Sequence, residues 1–434
     1  MAYRLDRLEN GLRVVTVEKP HLHSLDLTLY FKVGSRNDPD HKKGIAHFLE
    51  HMLFRGTQSY PSSLELEVAF EVLGGTVNAA TDADSTCFYA RIQPESLVAG
   101  MRVLASMVTE PLLEDVAVER HIILEEALED IGEHGDEINP DVVVSRLLWP
   151  NHPLGEPVIG DSDGISNIDT DDLRQHLAQW YVPANAVLVG VGPVRHEQVL
   201  EAATELFGGW QDIGTPETMP FPDEPLGGPV IKVVQEGASQ MMVQVAFRGL
   251  SRRDEALPVL KVLRRVLAGG GSSRLHLALR ERLGLVYAVD VTIGSYDETG
   301  CLAIDFSTAP DKLEQALKTL TGELALLCSV PVPDDELARV KKVYCAELAY
   351  SEDSVVELGA RYGWGELMGV VRDIEDEQHI VEAVNGSAVR LLANELFTLE
   401  NLVVAVIGPV DAVSSAMVAE WLSEALDTGA GATP

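Results

Sequence analysis

Residues 47–51 read His47-Phe48-Leu49-Glu50-His51, inside a stretch from Lys43 to Phe54 that the sequence predicts to be helical. Two histidines four positions apart lie on one face of a helix, one turn apart. Both imidazoles can then reach a single Zn²⁺, whose bonds to histidine nitrogens are about 2.0–2.1 Å long. Glu50 brings a carboxylate to the same place. The order His-x-x-Glu-His is the inverted form of the His-Glu-x-x-His zinc pattern; the alternative is an amphipathic helix that carries two histidines by chance.

The chain is strongly acidic, and this narrows the classes of partner. Its 434 residues contain 33 Lys and Arg against 68 Asp and Glu, a formal net charge of −35. Binding to nucleic acid requires clustered basic side chains, so no nucleic-acid partner is expected. An acidic surface attracts cationic peptides. The alternative is that the charge serves solvation only, as in adaptation to salt.

Cysteine usage and hydropathy predict a cytoplasmic protein. The four cysteines, Cys87, Cys301, Cys328 and Cys345, form no Cys-x-x-Cys pair, which fits free thiols in a reducing compartment. The first residues enter strand-like sequence directly and show no secretory signal. No apolar window approaches the roughly 18 residues of a membrane-spanning helix, so no membrane partner is expected.

Periodicity and turn residues predict alternating strands and helices in the first half. Asn10-Gly11 marks a hairpin turn, and residues 24–33 alternate as a half-buried strand. Further helices are predicted at 62–73, 95–109, 114–132 and 171–180, and further strands at 76–81, 84–93 and 186–191.

The second half repeats the pattern of the first. A Pro- and Gly-rich linker, 213–229, separates a domain at 1–212 from one at 230–434. Strand 241–248 and helix 256–268 correspond to strand 25–33 and the motif helix, at an offset of about 215 residues, far longer than a solenoid period. The predicted fold is therefore α+β, with two homologous domains that each pack a mostly antiparallel sheet against helices.

The repeat assigns the metal to the first domain alone. On this alignment His47, Glu50 and His51 fall opposite residues that cannot ligate zinc as a set, namely Val262, Arg265 and Val266. The second copy is therefore predicted to hold no metal.

A catalytic zinc takes three protein ligands, so a third is required. Glu119 and Glu126 are seven residues apart and share one face of the predicted helix 114–132. Spacing and charge alone do not single out Glu126 as the third ligand. Other glutamates compete for the role, and the whole segment could be an acidic solvated face; the competitors are Glu125, Glu129 and Glu133.

Three segments resemble the pitrilysin/insulinase family of inverted zinc metallopeptidases, in particular its short, two-domain bacterial subgroup related to mitochondrial processing peptidase. They are HFLEHMLFRGT at 47–57, ERHIILEE at 119–126 and GGGSSRLHLALRERLGLVY at 269–287. The resemblance implies one Zn²⁺ per chain, bound by His47, His51 and Glu126. It also implies that Glu50 is the general base and that Glu119 supports the metal site without ligating the metal.

The resemblance extends to substrate binding. It implies that Arg280 and Tyr287 bind substrate and stabilise the tetrahedral intermediate, and that Asn78 and Ala79 belong to an edge strand that pairs with extended peptide. From the residues alone, Arg280 is expected to form a surface ion pair and Tyr287 to pack in the core. Residues 132–140, GEHGDEINP, depart from the family by being longer and more acidic.

The implied function is a zinc metalloendopeptidase that acts on unfolded peptides. Members of this subgroup pair two chains into a four-domain chamber, so a homodimer is expected. The alternative is a non-catalytic or processing-type partner subunit of a related assembly. The presence of the complete set of motif residues favours the enzyme.

Overall fold

A computed structural model describes residues 3–211, 214, 225–410 and 413–429. Of the predicted linker 213–229, residue 213 and residues 215–224 lie outside them. The described strands are β1 (Arg4–Arg7), β2 (Arg13–Glu18), β3 (Leu25–Phe31), β4 (Thr76–Thr81), β5 (Thr86–Ile92), β6 (Ala186–Gly192), β7 (Val230–Gln235), β8 (Met241–Gly249), β9 (Val286–Ser295), β10 (Gly300–Thr308) and β11 (Leu402–Gly408).

The described α-helices surround these strands. They are α1 (Ile45–Met52), α2 (Ser63–Glu71), α3 (Leu97–Thr109), α4 (Val116–Leu128), α5 (Pro140–Leu148), α6 (Ser162–Asn167), α7 (Thr170–Trp180), α8 (His196–Phe207), α9 (Leu257–Ala268), α10 (Leu313–Ser329), α11 (Asp334–Tyr350), α12 (Val355–Gly359), α13 (Gly365–Met368), α14 (Ile374–Ala383), α15 (Gly386–Leu396) and α16 (Ser415–Gly429). Two π-helical turns, His276–Arg282 and Ala360–Trp364, and several three-residue 3₁₀ turns are also described.

The first compact unit is built on a six-stranded sheet in the order β1-β2-β6-β3-β5-β4. All neighbours are antiparallel except β2 and β6, which are parallel because the chain between them returns through helices. Buried side chains of β3, including Leu27 and Leu29, pack with Phe48 of α1 and Met101 of α3. The strand at one edge of this sheet is β4.

The second unit repeats this topology in the order β7-β11-β8-β10-β9. With β1 set aside, the two orders coincide strand for strand, and the parallel pair β7–β11 takes the place of β2–β6. The predicted mostly antiparallel sheets and their internal repeat are therefore present. Long-range strand order, unlike local pattern, is independent support for two copies of one α+β domain.

Each compact unit is discontinuous in sequence, which differs from the predicted halves 1–212 and 230–434. Residues 128–155 belong to the second unit, where α5 packs on β8 and β11. Residues 350–373 belong to the first, where Tyr362 packs with valines of β2 and β6. Residues 128–155 thus pack on the sheet of the second unit, and residues 350–373 pack on the sheet of the first. Hydrophobic periodicity does not reveal which sheet a segment covers, so the predicted boundaries missed the exchange.

Most predicted elements lie where the sequence indicated, and β4 has the predicted bounds. The first hairpin pairs β1 with β2 around Asn10-Gly11. The helices α5, α6, α8 and α10–α16 were not predicted. None of the helices in the described residues is both long and apolar enough to cross a membrane.

Candidate metal centre

The motif helix α1 begins at a fixed point. Its N-cap Gly44 has a φ of 92°, a left-handed conformation that favours glycine. The Asp38 carboxylate accepts hydrogen bonds from the backbone N–H groups of Gly44 at 2.7 Å and Ala46 at 3.1 Å. A carboxylate at a helix N-terminus satisfies free N–H groups and complements the helix dipole. The start of α1, and with it the phase of its side chains, is thereby set.

The burial of α1 directs the two histidines away from the core. Phe48, Leu49 and Met52 are fully buried, so these three side chains pack the helix into its domain. His47 and His51 lie on the other side, with ring centroids 4.5 Å apart. The i, i+4 spacing therefore brings two imidazoles to one partly exposed place.

Helix α4 supplies the third candidate ligand. Glu126 Oε1 lies 3.9 Å from His47 Nε2, and Glu126 Oε2 lies 3.7 Å from His51 Nε2. Among the described residues, the group of His, Cys, Asp and Glu side chains that converges to within 4.8 Å is His47, His51 and Glu126. The side chains of the competitors Glu125, Glu129 and Glu133 are not part of this group.

The three donors fit a zinc ion. Ligand atoms that share a tetrahedral Zn²⁺ at about 2.0–2.1 Å stand about 3.3–3.4 Å apart, only slightly closer than the carboxylate–imidazole distances here. His51 Nδ1 lies 2.8 Å from Glu119 Oε1. An ionised carboxylate only accepts hydrogen bonds, so the neutral form of His51 that can bind a metal carries its proton on Nδ1 and has the Nε2 lone pair on the side of Glu126.

The surroundings of His47 and His51 shift the pKa values of the two imidazoles in opposite directions. Burial, with the neighbouring His51 charge, lowers the pKa of His47 to about 4, so that His47 is neutral at pH 7 and able to ligate a metal. Burial also lowers the pKa of His51, but the hydrogen bond and charge of Glu119 outweigh it, and the net pKa is raised. Glu119 is itself only 6% exposed. Arg55 Nη1 lies 3.6 Å from Glu119 Oε2 and balances its charge.

Glu50 lies on α1 between the two histidines in sequence but turns toward β4. It is 9% exposed, and Thr81, the last residue of β4, donates its hydroxyl hydrogen to Glu50 Oε2. Burial raises the pKa of Glu50, while the Thr81 hydrogen bond and the His51 charge partly offset that rise. A shielded carboxylate with a raised pKa is a stronger base than a solvated one.

The predicted substrate strand lies beside this carboxylate. Asn78 is exposed and Ala79 half-buried on β4, which pairs with β5 on one side and is the last strand of its sheet on the other. Because β4 ends at Thr81, the edge strand leads directly to Glu50. The sequence indicated the strand, but no spacing pattern pointed to Thr81 or to its bond with Glu50.

The second unit brings Arg280 and Tyr287 side by side. The Arg280 guanidinium lies 5.4 Å from the centroid of the Tyr287 ring, and Tyr287 is 83% exposed. Core packing is therefore excluded for Tyr287. Arg280 Nε lies 3.7 Å from Glu281 Oε1, so the surface ion pair weighed from the sequence is also present.

The position that corresponds to the metal site in the second unit has different chemistry. Val262 and Val266 are fully buried in α9. Arg265, at the position of Glu50, donates to Glu347 Oε2 at 2.9 Å and stacks 3.4 Å over the ring of Tyr344. The Arg265–Glu347 ion pair and the buried valines therefore occupy the positions that the candidate ligands and Glu50 have in the first unit.

Comparison with known proteins agrees with this geometry. The sequence pattern of Insulinase (Peptidase family M16) matches residues 13–162, and that of Peptidase M16 inactive domain matches 167–344. The uncharacterized zinc protease YmxG of Bacillus subtilis (strain 168) is 30% identical over 404 residues, which are 92% of this chain and 97% of that protein. An uncharacterized zinc protease of Rickettsia felis is 28% identical over 419 residues, covering 94% of this chain and 98% of the relative.

A solved structure shows the same fold. The crystal structure of a protease from Helicobacter pylori superposes with a TM-score of 0.86 at 21% identity, covering 94% of this chain and 99% of that one. The relatives match nearly the whole chain, and their names describe zinc proteases. This chain belongs to the pitrilysin/insulinase family, peptidase family M16, in its short two-domain subgroup.

Proposed function

We propose that this chain is a zinc-dependent metalloendopeptidase that hydrolyses peptide bonds in unfolded peptides. One Zn²⁺ per chain would be held by His47, His51 and Glu126. The observation that carries the proposal is the convergence of these three ligand atoms within 4.8 Å of one another, with a shielded carboxylate, Glu50, on the same helix. That combination supplies both a metal site and a base.

The chemistry divides between metal and protein. A bound Zn²⁺ supplies Lewis acidity toward a carbonyl oxygen and lowers the pKa of water to about 7. Glu50 accepts the proton of the attacking water as general base and later gives it to the leaving amine. Its raised pKa suits both transfers. Glu119 holds the ring of His51 through the 2.8 Å contact with Nδ1 and selects the neutral tautomer whose Nε2 can bind the metal.

Substrate binds by strand addition in this proposal. An extended peptide that pairs with β4 gains main-chain hydrogen bonds, with little demand on its sequence. Asn78 and Ala79 would contact it, and the end of β4 at Thr81 would carry the scissile bond toward Glu50. Arg280 and Tyr287 would add donors to the peptide and to the developing oxyanion. The strong exposure of Tyr287 supports a contact role for its hydroxyl.

The proposed assembly is a homodimer whose four domains enclose the substrate. By analogy with the family, the zinc site of one protomer would be completed by Arg280 and Tyr287 of its partner. Mixing inactive Glu50→Gln chains with inactive Tyr287→Phe chains tests this, because one site in each mixed dimer would have both intact halves. Recovery of activity after subunit exchange supports sites formed in trans. No recovery despite confirmed exchange contradicts them.

The activity itself is tested with an unstructured peptide. Zinc-loaded protein should cleave the peptide at internal bonds, and Glu50→Gln should retain zinc but lose about 10²- to 10⁴-fold in rate. Absence of cleavage by zinc-loaded wild-type protein would favour the alternative, a non-catalytic or processing-type partner subunit.

A further inference from the structure

Thr81 occupies a distinctive place in the first unit, at the junction of the edge strand and the base. Its hydroxyl has one hydrogen, and its described partners are Glu50 Oε2 and, at 3.4 Å, Thr86 Oγ1. The Thr86 hydroxyl donates its own hydrogen to the carbonyl of Val33 at 2.9 Å. A carboxylate can only accept, so the Thr81 hydrogen points at Glu50.

The hydrogen bond from Thr81 makes the two carboxylate oxygens of Glu50 inequivalent. Oε2 accepts from Thr81, while within the described part of the chain Oε1 accepts no hydrogen bond. A glutamate carboxylate rotates easily about its last torsion, which is broad and roughly two-fold. Fixing Oε2 therefore fixes the direction of Oε1, the oxygen left to take a proton.

Thr81 and Glu50 are both held by the loop at residues 34–38, which fixes their positions relative to each other. The turn after Thr81 closes with Asp82 N–H donating to Ser85 O at 2.8 Å, and Ser35 N–H donates to Asp82 O at 3.2 Å. A Cβ on Gly34 would lie 2.1 Å from Asp82 O, so only glycine permits this close approach. Asp38, four residues further on, caps α1 and thereby locates Glu50.

We propose that Thr81 is a positioning residue for the general base: it holds Glu50 Oε2 so that Oε1 faces the water to be deprotonated. The proposal rests on the peptidase function proposed above. It also links substrate binding to chemistry, because the strand that would pair with the peptide ends at the residue that orients the base. Thr81 acts through Glu50 and is not itself a catalytic residue.

The test compares Thr81→Val, Thr81→Ser and a matched control, Thr204→Val. Valine keeps the shape of threonine and removes the hydroxyl, whereas serine keeps the hydroxyl. Thr204 lies on α8 and donates its hydroxyl hydrogen to Leu200 O at 2.8 Å, so the same substitution there removes a threonine hydrogen bond outside the site. Because a hydrogen bond to a charged group is lost, we expect Thr81→Val to lower kcat about 10- to 100-fold while KM stays within about twofold of wild type.

Several outcomes are decisive. Thr81→Ser should restore kcat to within about threefold of wild type, and zinc content should be equal in all variants. Near-normal kcat in Thr81→Val overturns the proposal. So does a raised KM with unchanged kcat, which would make Thr81 a substrate contact, or a Thr81→Ser variant as slow as Thr81→Val.

A second measurement separates this proposal from the proposed function. Crystal structures of metal-free wild type, Thr81→Val and Thr81→Ser should show the Glu50 carboxylate turned in the valine variant only. An unchanged carboxylate in Thr81→Val overturns the positioning role even if the protein cleaves no peptide. A turned carboxylate in a protein without peptidase activity would uphold the positioning role while the proposed function fails.

Discussion

Replacing Glu119 tests how far the zinc site depends on a residue that does not ligate. Its carboxylate accepts from His51 Nδ1 at 2.8 Å and is 6% exposed, so solvent cannot replace it. A hydrogen bond that involves a charged group is worth about 1.5–3 kcal/mol. At about 1.4 kcal/mol for each factor of ten, this corresponds to a loss of roughly 10- to 100-fold in zinc affinity, the range usual for such supporting groups.

The two available substitutions fall at opposite ends of that range. Glu119→Gln keeps an acceptor oxygen for His51 and loses only the charge, so about a tenfold rise in the zinc Kd is expected. Glu119→Ala removes the acceptor and leaves Arg55 with only its 3.6 Å contact to the exposed Asp115, so about a hundredfold rise is expected.

Competitive titration against a chromophoric chelator measures both values. Glu125→Gln is the matched control, because it removes the same charge from an exposed position on the same helix. A supporting role for Glu119 is refuted if both Glu119 variants bind zinc within about twofold of wild type, or if Glu125→Gln weakens zinc binding as strongly.

Other predictions concern the ligand set, stability and assembly. Glu126→Gln should lose most bound zinc by elemental analysis while Glu125→Gln keeps it; equal contents would assign the third ligand elsewhere. Burial lowers the pKa of His176 to about 3, below its unfolded value of about 6.5, so its stabilising contribution is complete above pH 6.5 and declines as pH falls toward 3. At pH 5 the loss is about 2 kcal/mol, and chemical denaturation of metal-free His176→Leu should lack this decline; a decline equal to that of wild type would contradict it. Mixed dimers of Glu50→Gln and Tyr287→Phe should recover activity that neither variant has alone.

The sequence predicted those features that local pattern determines. The alternation of residues 76–81 located β4, and the i, i+4 histidines located α1, because both depend only on side-chain periodicity. The thiols of Cys87, Cys301, Cys328 and Cys345 are all free, as their spacing indicated.

Features that depend on distant packing were missed. Residues 350–373 complete the first unit because Tyr362 fills the face of a sheet that ends far earlier in the chain. The hydrophobic periodicity of residues 350–373 does not indicate which of the two sheets they pack against. Thr81 escaped notice for a similar reason, since its partnership with Glu50 depends on a turn held by the loop at 34–38. Arg55 could have been noticed, because it is a basic side chain four residues after His51, just beyond the end of α1.

One zinc ion per chain, bound by His47, His51 and Glu126, is proposed to support peptide hydrolysis. The most direct test of this proposal is to strip the protein with a chelator, add Zn²⁺ stepwise, and follow cleavage of an unstructured peptide. Activity should rise in proportion to added zinc and level off at one equivalent per chain. Peptide cleavage by zinc-free protein, or a fully zinc-loaded wild-type chain with no cleavage, would contradict the account.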